Sequence, residues 1–375
     1  MRQWINISSL LILLSGCTKT FELPDTKPDN TVLVVEGDIK TGDIIENTFT
    51  LSRVKALFEV NDIPETNALV EIVQQNGPRW TVPHKGKGIY SAPLNLPATA
   101  GLSLKITTAD GKIYETPFQK SVLTPQIDSV TWKQELNGGD VKLYVHTRDV
   151  TNNTRNYKWT YIETWERRSW FNSLYDFIGG SIVPRDPAND VSTCYNSSNG
   201  STYLVGNSND LKDDVISYQP ITEIEKPSEK LYVRYSILVN QIGLTKEAYE
   251  YWDILKKNTE LRGTLFDPQP SRMPTNIVCT NDSKREAIGF ISVGKVSEKR
   301  IFIMNSAVNL WPTRNEANPC DYFEFPRFLA ERFLSQNTNY LPAYFVTAGG
   351  GFGVAIKQCI DCRITGGVTT KPDFW

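Results

Sequence analysis

The sequence predicts a mainly β protein: a β-sandwich followed by a larger β-rich domain carrying one or two helices. Three observations predict it. Aromatic residues are plentiful, with 16 Tyr, 16 Phe and 9 Trp, and aromatic and β-branched side chains suit the half-buried pleat of a strand. Short apolar runs, among them VLVVEGDI, TFTLSRV, ALVEIV, IYSAPLNL and LSLKITT, recur between turn residues at the near-regular spacing of a sandwich. Helical periodicity stands out in one stretch and recurs in a shorter one. The 375 residues exceed what one core normally supports, so two domains are expected.

The chain opens MRQWINISSLLILLSGC, with Arg2 before an apolar run from Ile5 to Leu14. This is the pattern of an export signal over residues 1–16. It falls short of the roughly 20 apolar residues that a spanning helix needs. The run closes in Leu14-Ser15-Gly16-Cys17, which resembles the bacterial lipoprotein box, where small residues admit the signal peptidase to the bond before a lipid-bearing cysteine. Cys17 is thus the expected lipid attachment. Several acyl chains, at about 0.8 kcal/mol per buried methylene, hold such a protein to the membrane permanently. The polar, proline-containing residues 17–30 read as a tether. The expected location is the outer membrane, with the cell surface favoured over the periplasmic face, although Glu22 and Asp25 are too sparse to spell a surface-export signal.

Charge is nearly balanced, 40 Lys and Arg against 42 Asp and Glu. That offers no basic footprint for nucleic acid. The composition is that of a globular chain rather than a disordered one.

Residues 31–122 form the first expected unit. In LSLKITTADGKIYETP, Leu102, Leu104 and Ile106 alternate with Ser103, Lys105 and Thr107, and Asp110-Gly111 supplies the turn of a hairpin. The order of its runs resembles immunoglobulin-like modules of carboxypeptidase-regulatory type, which serve as spacers or platforms. A boundary is expected near Ser121 to Gln126, with residues 123–375 as the second domain. There IDSVTWKQ opens a strand, and Val141, Leu143 and Val145 alternate with Lys142, Tyr144 and His146. Tyr157, Trp159, Tyr161 and Trp165 share one face of a long strand, since every second side chain does, and such a stripe reads as core. The helical stretch is GLTKEAYEYWDILKKNTEL, with Thr245 as cap and Glu247 at the positive end of the dipole. PRFLAERFLSQ is the shorter helix, opening at Pro326.

Five cysteines follow Cys17: Cys194, Cys279, Cys320, Cys359 and Cys362. In an oxidising compartment disulfides are expected, and spacing does not assign their pairing. Bridges that tie the tail are favoured, one from Cys320 to the Cys359/Cys362 pair and one reaching Cys194. A redox Cys-x-x-Cys would open a helix, where the dipole lowers the thiol pKa. Here the motif leads into Arg363-Ile364-Thr365-Gly366-Gly367, read as strand and turn. A zinc site would need further ligands, and the chain holds His84 and His146 alone. No metal or cofactor is expected. The terminal Phe374-Trp375 pair is expected to plug a core pocket, with a partner-binding tag as the alternative reading. Gly349-Gly350-Gly351-Phe352-Gly353 lacks the spacing of a phosphate loop and reads as a turn between strands. No nucleophile elbow, zinc-protease helix or paired-carboxylate motif stands out.

The segment RRSWFNSLYDFIGGSIVPRDPANDVS carries Trp170, Phe171, Tyr175 and Phe177 among Gly and Pro. A long aromatic loop either packs over a core or recognises a partner. These four residues are the candidate recognition loop, suited to a glycan, a small molecule or an apolar pocket of a receptor.

The lipobox followed by LVVEGDI, the strand YKWTYIETWE, the helix EAYEYWDILKKNTEL leading into GTLFDPQPSRMPTNI, the strand AIGFISVGKVSEKRIFI and the closing CIDCRITGGVTTKPDFW together resemble the domain-of-unknown-function 4249 family. These are outer-membrane lipoproteins of Bacteroidetes commonly encoded beside TonB-dependent receptors. The resemblance covers essentially the whole chain. It implies a non-enzymatic accessory or ligand-capture partner of a TonB-dependent transporter, anchored through Cys17, and brings no catalytic residues with it. An adhesive or structural envelope protein is the alternative expectation, and a hydrolase without a recognisable motif the third.

Overall fold

The computed structural model describes residues 30–55, 62–200, 203–260, 273–313 and 320–375. The expected export signal, Cys17 and nearly all of the tether lie outside these residues. The principal strands of the first part are β1 (Leu33–Gly37), β2 (Ile39–Arg53), β3 (Leu69–Gln74), β4 (Arg79–Val82), β5 (Ile89–Leu96), β6 (Gly101–Thr107) and β7 (Ile113–Glu115). There follow β8 (Ile127–Gln134), β9 (Val141–Asp149), β10 (Asn156–Arg168), β11 (Tyr175–Ile178), β12 (Ser181–Pro184), β13 (Thr193–Asn199), β14 (Asp214–Ile224) and β15 (Arg234–Leu244). Helix α1 (Lys246–Glu260), β16 (Val293–Met304), β17 (Tyr322–Pro326), α2 (Arg327–Gln336), β18 (Tyr340–Val346) and β19 (Gly351–Ile356) complete the set. Shorter strands are named below by their residues.

The alternation read in β6 decides the first core. Leu102, Leu104 and Ile106 are buried, and β6 pairs antiparallel with β3 so that Ile72 faces Leu104 and Val70 faces Ile106. This sheet packs on Leu33, Val35, Phe49 and Leu51 of β1 and β2. The same core takes in Ile277, Cys279, Ala287, Ile291 and Val293. Val278–Cys279 pairs with β7, and Ala287–Ile288 pairs in parallel with β1. The first sandwich is therefore built from residues 31–122 and a later return of the chain, a correction to a boundary drawn once near residue 122. The physical reason is edge satisfaction: the outer edges of β1 and β7 present backbone groups that the returning segment pairs.

One long sheet, in the order β13-β10-β15-β16-β2-β1, runs through both halves. Its two parts join where β2 pairs in parallel with β16, Ile39 opposite Val293 and Thr41 opposite Lys295. The aromatic stripe on β10 faces inward as expected, and Tyr157, Trp159 and Tyr161 are buried against Val141, Leu143 and Val145 of the three-stranded sheet β8-β9-β14. On the opposite side of the long sheet α1 docks through Ala248 and Tyr251 onto Ile242, Leu244 and Phe290. Thr245 caps it, its Oγ accepting from the Ala248 N–H at 3.2 Å. Lys158, on the α1 side of β10, is buried, ion-paired with Asp38, and set 4.1 Å from the centre of the Trp252 ring.

The β9–β10 connection turns on Asp149, whose carboxylate accepts from the N–H groups of Thr151 (2.9 Å), Asn153 (3.0 Å) and Thr154 (2.9 Å). Burial alone would raise its pKa, but these bonds and the Thr151 hydroxyl outweigh it and hold the carboxyl below its ordinary value. Asp190, bonded by Ser192, and Asp361, bonded by Arg363, are held low against burial in the same way. A carboxyl depressed in the folded state contributes stability above its unfolded pKa and loses it as pH falls through the folded one. Unfolding free energy should therefore stay level from neutrality down to about pH 5 and fall below about pH 4. Urea midpoints across that range test this, and Asp149→Asn should flatten the acid limb.

Candidate functional site

The C-terminal residues build a third layer, the sheet β17-β19-β18 covered by α2. Two disulfides bind it. Cys320–Cys359 closes the layer on itself across a separation of 39 residues, and Cys194–Cys362 fastens it to β13 across 168. Cys279 is buried and unbridged. The segment after the motif differs from the strand and turn expected of it: Lys357–Cys359 and Cys362–Thr365 are short 3-10 turns, the second closed by Gly366 at φ 88°. Asp361 accepts the Arg363 N–H at 3.0 Å and so caps that second turn. In the glycine run, Gly349 and Gly350 make the turn at φ 99° and 67°, whereas Gly351 and Gly353 belong to β19. A Cβ on Gly353 would stand 2.6 Å from the Tyr344 ring, so the missing side chain lets that ring lie on the backbone.

The candidate recognition loop lies against this layer. Trp170 and Phe171 are half-buried against Ala343, Ala355, Cys359 and Ile360, and Tyr175 and Phe177 against Ala330, Leu334 and Phe352. Strands β11 and β12 form a hairpin in the middle of the segment, held by Arg185, which binds Asp176 and the Ser173 and Tyr175 carbonyls. These aromatics thus join the hairpin to the layer.

Other aromatics of the layer are more exposed, and sequence reasoning did not single them out. Phe328 of α2 is 71% exposed, Tyr322 51%, Phe323 47% and Phe345 45%. They do not stand alone. Phe323 lies 6.1–6.4 Å from Phe325, Phe333 and Tyr340 on one side of β17, and Tyr322 lies 5.5 Å from Tyr344 on the other. Burial and the bond from its hydroxyl to Glu324 at 2.7 Å push Tyr344 well above the usual phenol range. Because β17 pairs only with β19 among the described residues, its free edge and rings coincide. The alternation of an edge strand would have placed these rings, had the strand order been legible.

The tail departs from expectation. Phe374 and Trp375 do not plug a core pocket; Phe374 is 42% exposed, and both rings lie on the outer face of the long sheet, over Arg300 and Arg234. Concavities beside that sheet differ in size: one lined by Asp190, Thr193, Tyr195, Thr369 and Thr370 holds about 510 Å³ and one lined by Arg168, Tyr232, Val233 and Met304 about 360 Å³. The one lined by Glu166, Arg168, Trp170, Glu229 and Tyr232 has room of about 30 Å³, one water's worth. No group of three or more His, Cys, Asp or Glu is placed to hold a metal among the described residues. His146 binds the Thr131 hydroxyl at 2.8 Å and the Tyr218 N–H at 3.3 Å. Among the described residues no helix is long and apolar enough to cross a membrane.

Among solved structures the chain is similar to a putative membrane anchored protein from Corynebacterium diphtheriae, at 12% identity and a TM-score of 0.18, over 56% of this chain and 54% of that one. It is similar to E. coli alpha-2-macroglobulin at 14% identity and a TM-score of 0.19, over 60% of this chain and 14% of that one. A chitinase from Bacillus thuringiensis matches at 11% identity and a TM-score of 0.15, over 49% of this chain and 30% of that one. The aligned part thus spans about half the length of the first of these proteins. No curated protein matches the chain. A family model described as a domain of unknown function, DUF4249, matches residues 18–300, and the chain belongs to that family.

Proposed function

We propose that the protein is a lipid-anchored accessory of an outer-membrane TonB-dependent transporter, helping to capture or admit a ligand without converting it. The observation that carries this reading is the set of exposed aromatics on the C-terminal layer, with Tyr322 and Phe323 on β17, whose outer edge is unpaired among the described residues, Phe328 on the helix that follows it and Phe345 on β18. Clustered aromatics are the usual anchors of a protein interface, and a free edge can add a partner strand. The signal pattern and Cys17 supply the membrane attachment, and the aromatic surface supplies the contact.

The test is a mild-detergent pull-down of the lipidated protein from its native membrane, with partners identified by mass. Recovery of a TonB-dependent receptor in near-equal amount is expected. Phe323→Asp with Phe328→Asp should reduce that recovery by about tenfold or more, as loss of interface anchors does, while near-ultraviolet dichroism shows the fold retained. Cys17→Ser should release the protein from the membrane fraction. A protein recovered without any barrel partner would sink the reading and bring adhesion forward.

A further inference from the structure

Beyond Val368, which bridges to Tyr195 on β13, the chain crosses the outer face of the long sheet. Trp375 lies 5.3 Å from Tyr195 and 5.7 Å from Phe302 of β16, with the Arg234 guanidinium of β15 5.0 Å from its ring centre. Arg234 also sits 4.2 Å from the Phe302 ring, and Arg300 3.5 Å from the Phe374 ring. In the register of β15 and β16, Arg234, Ser236, Phe302 and Arg300 share the face opposite the buried Tyr235, Ile237 and Ile303.

The chemistry of this face is particular. Among the described residues neither Arg234 nor Arg300 is ion-paired, whereas Arg53, Lys158, Arg185 and Lys230 each meet a carboxylate directly. Arg234 Nε is buried without a hydrogen-bond partner, and Arg300 donates to the Ser236 hydroxyl at 2.9 Å. Guanidinium planes that make no close ion pair and are lined by ring faces form a platform for aromatic side chains. The hold of Phe374 and Trp375 on this face is through their rings and not through the backbone. The tail's backbone bond, Trp375 N–H to the Pro372 carbonyl at 3.0 Å, is internal, and Thr369, Thr370, Lys371 and Asp373 are exposed. The Cys194–Cys362 bridge fixes the root of this segment.

We propose that this arginine–aromatic face is a binding site for an extended peptide segment with two adjacent aromatic residues, presented by a partner protein, and that Phe374-Trp375 is its resident, displaceable occupant. The tail is then an autoinhibitory strap. A tether this short gives the resident rings an effective concentration in the millimolar range, so a partner must present its segment locally or bind more tightly to displace them.

The test uses the full chain and its Phe374→Ala/Trp375→Ala variant, each titrated with a labelled KPDFW peptide and with KPDLL as control. The variant should bind KPDFW about tenfold or more tightly than the unmodified chain does, because its site is vacated. KPDLL should not bind. Arg234→Gln with Arg300→Gln in the variant background should abolish binding, and should the Gln pair perturb folding by near-ultraviolet dichroism, Arg234→Lys with Arg300→Lys serves instead. No binding to the tail variant, equal binding by the unmodified chain, or binding indifferent to the arginine changes would each overturn the proposal.

Discussion

Replacing Cys194 and Cys362 together by Ser should lower the unfolding free energy by about 2–5 kcal/mol, read from urea denaturation. The bridge joins residues 168 apart, so the chain it cuts loose in the unfolded state is long, and the closure entropy it removes is correspondingly large. The Cys320–Cys359 bridge encloses 39 residues, and the same entropy argument makes its removal cheaper by about 1 kcal/mol. The two losses should also differ in kind. Without Cys194–Cys362 the third layer keeps its own crosslink but loses its fastening to β13, so protease cleavage should appear first around residues 363–375. Cys279→Ser, which breaks no bridge, is the control and should cost far less than either pair. A loss below about 1 kcal/mol for the Cys194/Cys362 pair would show that packing, not the crosslink, holds the layer.

Trp159→Ala should cost about 3–5 kcal/mol, the range for emptying a large aromatic from a core. Trp159 is fully buried, stacks 5.7 Å from Tyr157, and donates its Nε1–H to Gln241 Oε1 at 2.7 Å. Gln241 is itself buried and gives its amide to the Pro125 carbonyl and the Thr147 hydroxyl, both at 3.1 Å. Truncation therefore opens a cavity and orphans a buried carbonyl oxygen, which adds about 1–3 kcal/mol of its own. Trp159→Phe separates the two terms: most of the ring stays and the donor goes. Urea unfolding should place this variant between the wild type and Trp159→Ala, and equal losses for Phe and Ala would put the whole effect on the hydrogen bond.

Much of the fold was legible because it repeats locally. The alternation of Leu102, Leu104 and Ile106, and of Tyr157, Trp159 and Tyr161, names the buried face of each strand without any knowledge of its neighbours. Thr245 and the spacing of Ala248 and Tyr251 name a helix and the side it docks by. The cysteines at the tail announced crosslinks, and their separation in sequence left the partners open. The candidate site was less legible. Trp170, Phe171, Tyr175 and Phe177 are visible as aromatics in a loop, but whether such rings face a partner or a core depends on what lies opposite. Here the third layer lies opposite, and the more exposed rings are Tyr322, Phe323, Phe328 and Phe345.

The sequence by itself determined the strand-rich class, the inward faces of its principal strands, the two helices and the membership of the family whose model it matches. Those properties follow from periodicity and composition, which act over a few residues at a time. Tertiary structure alone decided the return of residues 277–293 into the first sandwich, the parallel seam of β2 and β16, the pairing of the cysteines and the seat of the last two aromatics on Arg234 and Arg300. Each is a contact between segments far apart in the chain, and which distant edge or ring is met depends on the whole arrangement of strands rather than on any local pattern.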